Sequence, residues 1–322
     1  LMTVYPFTLH LGPIAVTGFG LMMMVAFLMS GWAIQMELRR RALNEEYAAD
    51  IVIGAVVGGL IGAKLWYVAL TGASPFERGG FVWYGGFLGG AAGVILAGVR
   101  RRVPLRLTAE VCAPALALGY ALGRVGCFLV QDDYGIPTTL PWGMKFPQGL
   151  PATTVANLSQ LHVTFPAGAD PAAVVAVHPT EIYETAVMLL VFAWLWRHRD
   201  HRHATGWLFA VYLVCAALER FLIEFIRAKD DRVLGAFTVA QATSVALVLV
   251  GLSLVRVWTT PEPVPVRAEA LGARGGAPAE ERLHRQSHAV AIDGDVEDHE
   301  HGGAEGDAAD HRPHLAAAGG GE

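Results

Sequence analysis

Charge is scarce in this chain. Asp, Glu, Lys and Arg make up 16% of its 322 residues, against 53% hydrophobic ones, and mean hydropathy is positive at +0.41. A soluble domain carries about a quarter charged residues, so this composition excludes an ordinary soluble globule and points to a polytopic membrane protein. Cysteine is also rare. Cys112, Cys127 and Cys215 all fall in apolar segments, which excludes a disulfide framework in an exported loop and leaves buried thiols. No basic stretch precedes the first apolar segment, so a retained helix is expected there and not a cleaved signal peptide. The last apolar segment has no lysine for a Schiff base, which excludes a retinal protein. No repeat relates the two halves, which counts against an anion or phospholipid transporter built on inverted repeats.

What is present in quantity is apolar sequence in runs of roughly 18–25 residues, the length that crosses a hydrocarbon core. They lie near 14–36, 48–71, 81–99, 107–130, 180–197, 205–227 and 236–258. Arginines follow the first run (Arg39, Arg40, Arg41), the third (Arg100, Arg101, Arg102, Arg106) and the fifth (Arg197, Arg199, Arg202). Basic loops stay inside, so the N-terminus is expected outside and the C-terminus in the cytoplasm. The expected fold is an all-α polytopic membrane protein of about seven transmembrane helices over residues 1–258. A small irregular, proline-rich external head is expected at about 131–178. Residues 259–322 hold 13 acids against 5 arginines, a net of −8, and read as a disordered cytoplasmic tail. Its histidines (His284, His288, His299, His301, His311 and His314) suit a solvated tail or weak metal binding.

Against that background five charges stand out inside apolar runs: Lys64, Arg124, Arg220, Glu224 and Arg227. A cation at lipid depth costs about 2.5–3.5 kcal/mol on insertion scales, so several together point to an anion site. Lys64 and Arg124 lie about six residues, and Arg220 about seven, before the outer ends of their helices. At 1.5 Å per residue that is a common depth of roughly 9–10 Å, suited to a lipid phosphate. Arg220, Glu224 and Arg227, spaced by four and three, are expected on one helical face with Glu224 pairing either arginine. The same stripe also suits a salt bridge that only holds helices together. Small-residue ladders at Gly58, Gly59, Gly62, Gly85, Gly86, Gly89, Gly90 and Gly93 favour close helix contact.

The stretches Gly123-Arg124-Val125-Gly126-Cys127-Phe128-Leu129, Asp132-Asp133-Tyr134-Gly135, His178-Pro179-Thr180-Glu181-Ile182-Tyr183-Glu184 and Glu219 to Arg227 resemble the motifs of the prolipoprotein diacylglyceryl transferase family. So do Gly59 to Leu65 and Tyr84-Gly85-Gly86, and the resemblance covers about residues 12–258. It implies a phosphatidylglycerol–prolipoprotein diacylglyceryl transferase of the bacterial cytoplasmic (inner) membrane. Such an enzyme moves the diacylglyceryl group of phosphatidylglycerol to the lipobox cysteine of an exported prolipoprotein. A thioether forms and glycerol phosphate leaves. The partners implied are phosphatidylglycerol, prolipoprotein signal peptides and membrane lipid, with no nucleic acid, no cofactor and no metal.

Carried onto this chain, Arg124 and Arg220 grip the phosphate through paired hydrogen bonds. Arg227 and Lys64 assist them, Glu224 orients them, and Tyr84 joins the catalytic set. Gly123, Gly126, Asp132, Gly135, His178, Glu181 and Tyr183 support the site. The chain departs from the family pattern at Tyr84, where a histidine is usual, at Cys127 for asparagine, at Phe19 for tyrosine and at Asp132 for glutamate. The acceptor thiol needs a proton acceptor, and Tyr84, Asp132, Asp133, Glu181 and His178 remain open for that role. A diverged paralogue acting on another acceptor, or only binding lipid, is the alternative.

Overall fold

The computed structural model describes residues 2–260 apart from 13, 77–79, 81, 229–231 and 235–236, so the expected tail lies outside the described residues from 261 onward. The described residues form eight helices: α1 (Gly18–Arg40), α2 (Tyr47–Thr71), α3 (Trp83–Arg101), α4 (Leu105–Val130), a short α5 (Val155–Gln160), α6 (Thr180–Arg197), α7 (Trp207–Ile223) and α8 (Val239–Trp258). Seven of them fall on the apolar segments read from sequence. By length and apolarity α1, α2, α4 and α8 suffice to cross a membrane, which makes this a helical multi-pass membrane protein.

Helix α4 is the central post, packed against α1, α6 and α7. Its inward face is built of small residues: Ala113, Ala117 and Ala121 are fully buried, which lets neighbouring backbones close in. Helices α2 and α3 pair with each other along a glycine seam. A Cβ on Gly58 would strike the Gly89 carbonyl, and one on Gly62 would strike that of Gly85. Replacing Gly58 with leucine should therefore force the hairpin apart, at a cost of about 1–3 kcal/mol or more. A lowered unfolding temperature in detergent would show it, and an unchanged one would refute this reading of the seam.

One end of the bundle is tied by a buried ion network. Glu37 and Glu110, each about 1% exposed, anchor it. Arg41 bonds Glu37 at 2.6 Å and Glu110 at 3.2 Å, and His201 Nε2 lies 2.5 Å from Glu110. The other oxygen of Glu110 accepts from the backbone N–H groups of Gly206 and Leu208. It thereby satisfies donors that the first turn of α7 cannot pair internally.

The remaining structure is β. Strand β1 (Met2–Thr3) runs parallel to β4 (Met144–Lys145), β2 (Thr8–Leu11) pairs antiparallel with β3 (Ile14–Thr17), and β5 (Arg232–Leu234) with β6 (Phe237–Thr238). The head at 131–178 is irregular as expected, with the two-residue β4 and the short α5 joined by loops and isolated bridges. It has its own core of Tyr134, Phe146, Leu158 and Val177, and bridges join Pro137 and Met144 to Val177 and Thr154 to Val174. The N-terminus stitches onto it through Val4 N–H, which donates to the Lys145 carbonyl at 3.0 Å. Prolines break helix and strand periodicity, which hides such a fold from a pattern reading, yet they leave these isolated backbone bridges intact.

The sixth span was expected to continue to 227 and the first to begin at 14. Helix α7 ends at Ile223, because the chain beyond it turns outward to pair with the head. Gly135 bridges Arg227, Ile136 N–H donates to the Ile226 carbonyl at 2.8 Å, and Ala228 N–H to that of Tyr134 at 3.3 Å. At the first span, residues 14–17 leave the helix to pair with β2, and Thr17 caps α1.

Candidate functional site

At the end of the bundle nearest the head, a chain of alternating charge runs without a break from Glu184 to Arg220. Glu184, fully buried on α6, accepts from Arg124 Nη2 at 2.6 Å. Arg124, on α4, reaches Asp133 with Nη1, also at 2.6 Å. Asp133 pairs in turn with Arg227, Arg227 with Glu224 at 3.2 Å, and Glu224 with Arg220 at 2.5 Å. Each link is a charge-assisted hydrogen bond, the kind strong enough to keep a buried ion ionised. Asp133 is itself held by position: Thr180 Oγ1 donates to its carbonyl at 2.8 Å, which ties the start of α6 to the end of α4.

Gly135 makes this possible. A Cβ there would meet the Ile226 carbonyl at 2.5 Å and the His178 Cβ at 2.8 Å, so only glycine lets the strand bridge close and set Arg227 against Asp133. Gly126 packs less tightly against α1, where a Cβ would stand 3.2 Å from Met22 and 3.3 Å from the Phe19 ring. Gly123 differs from both. Its Cβ direction meets open space, which leaves room beside Arg124.

Burial pushes the Asp133 carboxyl up, but the Arg124 and Arg227 guanidinium groups outweigh it and hold it below its ordinary 3.8. A carboxylate held down in the folded state adds stability that is complete above its unfolded value. That stability is lost as pH falls through the depressed one. Wild type should thus lose stability on acidification below about pH 4, while Asp133→Asn should start lower and show a flatter acid limb. Thermal unfolding of both between pH 3 and pH 7 measures it, and parallel curves would refute the assignment.

The structure gathers Arg124, Arg220, Glu224 and Arg227 as the sequence reading expected, with one correction: they do not share a helical face. Arg220 stands three residues from the end of α7 and Arg227 lies beyond it. Lys64 is placed on α2, with its ammonium 5.3 Å over the Tyr67 ring, and Tyr84 opens α3, half exposed and edge-on to Trp83. Both belong to the α2–α3 hairpin, outside the described ion pairs of the charge chain.

The supporting residues divide. His178 Nδ1 lies 3.3 Å from the Tyr183 hydroxyl, which also accepts from Trp142 Nε1 at 2.8 Å; burial holds the His178 imidazole below its ordinary value. That arrangement joins the head to α6. Glu181 is fully buried, and neither of its carboxyl oxygens has a partner among the described residues. Asp132 is exposed and hydrogen-bonded to the Cys127 thiol, and Arg124 Nη1 lies 3.5 Å from that sulfur.

Sequence reasoning gave Asp133 no more than a place among possible bases and passed over Glu184, although both stand inside the quoted motifs. The signal for Glu184 was its spacing of three from Glu181 and of four from Thr180, which puts it on the buried face of α6. Tyr120 was missed as well. It stands one helical turn before Arg124, with the guanidinium 5.7 Å from its ring centre.

The two outer arginines of the chain differ in how fully they are used. Arg124 spends both terminal nitrogens on carboxylates, whereas Arg220, a quarter exposed, uses one nitrogen in its described bonds. Arg220 is thus the more open of the two, while Arg124 keeps a buried Nε without a partner among the described residues.

A multi-pass helical bundle with a continuous arginine–carboxylate chain at one end defines a helical membrane protein with a buried polar centre. A family model described as prolipoprotein diacylglyceryl transferase matches residues 6–257. The chain belongs to that family. It is similar to the phosphatidylglycerol–prolipoprotein diacylglyceryl transferase of Thermosynechococcus vestitus, 31% identical over 271 residues covering 80% of this chain and 94% of the relative. The proteins of the same description from Synechococcus elongatus (30% over 277 residues, 81% and 90% covered) and Geobacter sulfurreducens (29% over 268 residues, 77% and 93% covered) are similar to it as well.

Proposed function

We propose that this protein transfers the diacylglyceryl group of phosphatidylglycerol to the lipobox cysteine of an exported prolipoprotein, releasing glycerol phosphate. The observation that supports this best is the grouping of Arg124, Arg220 and Arg227 by Asp133, Glu184 and Glu224 beside the head. As the thiolate attacks the glycerol carbon, negative charge gathers on the departing phosphate. Preorganised guanidinium groups in low dielectric stabilise that charge where it develops. Arg220 and Arg124 meet the phosphate, Glu224 and Asp133 fix their planes, and Arg227 holds the two carboxylates in register.

In this reading α1–α4 and α6–α8 make seven spans, α5 lies in the head, and the charge chain faces the outer leaflet. The N-terminus is outside and the C-terminus in the cytoplasm of a bacterial inner membrane. The family match ends at 257, in keeping with an acidic tail that stands apart from the catalytic body.

The test combines purified protein, phosphatidylglycerol vesicles and a lipobox peptide, read by mass spectrometry. The expected result is one added diacylglyceryl mass on the peptide cysteine together with released glycerol phosphate. No adduct, with a family member active in parallel, would overturn the reading.

A further inference from the structure

Tyr120 brings two buried carboxyl groups to one hydroxyl. Its oxygen lies 3.1 Å from Glu184 Oε1 and 3.3 Å from Glu219 Oε2. A tyrosine hydroxyl carries a single hydrogen and can donate to one of them only. The other contact then sets a carboxylate oxygen against a lone pair, at a depth where Glu184 is 0% and Glu219 7% exposed. One added proton resolves this: a Glu219 carboxylate that takes it up donates to Tyr120, and Tyr120 donates to Glu184. The order is set by Arg124, whose bond to Glu184 Oε1 at 2.6 Å places a cation on that member and leaves the added proton to Glu219. Glu219 Oε1 has no partner among the described residues and is the atom left to receive a donor.

The groups facing Glu219 are Tyr120 and Arg124 from α4, Glu184 from α6, and Arg220 and Tyr212 from α7. Helix α8, packed against α7, carries one ionisable side chain, Arg256, near its opposite end.

Resting on the transferase reading, we propose that Glu219, bridged by Tyr120 to Glu184, is the proton acceptor for the acceptor thiol. The S–H proton passes to the Glu219 carboxylate as the sulfur electron pair forms the S–C bond to the glycerol carbon. The C–O bond to phosphate breaks, and its electron pair leaves on the phosphate oxygen facing Arg220 and Arg124. The proton then departs on the released glycerol phosphate monoanion, and Glu219 returns to carboxylate.

The experiment compares full-length wild type with Glu219→Gln on two lipobox peptides, one with cysteine and one with selenocysteine. A selenol is already anionic at neutral pH and needs no base. Glu219→Gln should lose about 100-fold or more on the thiol peptide, with a rate that rises with pH, and come within about threefold of wild type on the selenol peptide. Tyr120→Phe should show the same thiol-only loss at about tenfold, and it decides the matter if Glu219→Gln does not fold. Wild-type turnover of the thiol by the variants, or equal loss on both peptides, overturns the role of Glu219. A wild type inactive on both peptides removes the transferase reading itself, and this inference with it.

Discussion

Replacing Arg220 with alanine should lower transfer about 10²–10³-fold, the loss typical when one preorganised donor to a developing oxyanion is removed. The protein should still insert and purify. Arg220 is the terminal member of the charge chain, and when it goes Glu224 keeps its bond to Arg227. The loss should appear in turnover more than in apparent lipid affinity, because the phosphate gains charge on the way to the transition state. Arg220→Lys should recover part of it, since an ammonium restores the charge without the planar fork. Initial rates with phosphatidylglycerol vesicles and a lipobox peptide measure both variants. Alanine at 220 with a rate within threefold of wild type would remove Arg220 from the chemistry.

Arg124→Ala should be damaging in a second way. Arg124 is an interior member, so its removal strips a partner from Asp133 and from Glu184 together. Glu184 would keep only the Tyr120 hydroxyl, and breaking one partner out of a buried pair costs about 3–5 kcal/mol. Loss of activity should therefore come with a lowered unfolding temperature, unlike the Arg220 variant. Arg124→Lys should restore much of the stability and little of the activity, because an ammonium keeps a charge and donors beside Asp133 and Glu184 but lacks the planar fork. A fully stable Arg124→Ala protein would show that the chain is not cooperative as described.

Helix positions were legible in the sequence because long apolar runs need no partner to declare themselves; α2, α4 and α6 begin and end within a few residues of the segments read. The α2–α3 seam was legible for the same reason, as glycines spaced by four. The end of α7 was not. Nothing local stops that helix at Ile223, and what does so is a pairing with Gly135, about ninety residues away in sequence. Of the ion chain, Arg220, Glu224 and Arg227, spaced by four and three at and beyond the end of α7, could be read directly. The Arg124–Glu184 and Asp133–Arg227 links span 60 and 94 residues and leave no periodic trace. Lys64 and Tyr84 lie on the α2–α3 hairpin, and their places along separate helices leave no periodic trace of which neighbour each one faces.

The charge chain also bears on how the protein enters its membrane during synthesis. Each arginine has an acid close behind or beside it in the chain: Arg124 has Asp133 nine residues on, and Arg220 and Arg227 flank Glu224. Every segment can thus be handed to the bilayer as a near-neutral unit before its distant partners have left the ribosome. Assembly then adds shared pairs to these local ones, as Glu184 takes the second hand of Arg124 and Asp133 is joined by Arg227. The pairs that lock the finished bundle are thus built on pairs each stretch of chain can form by itself.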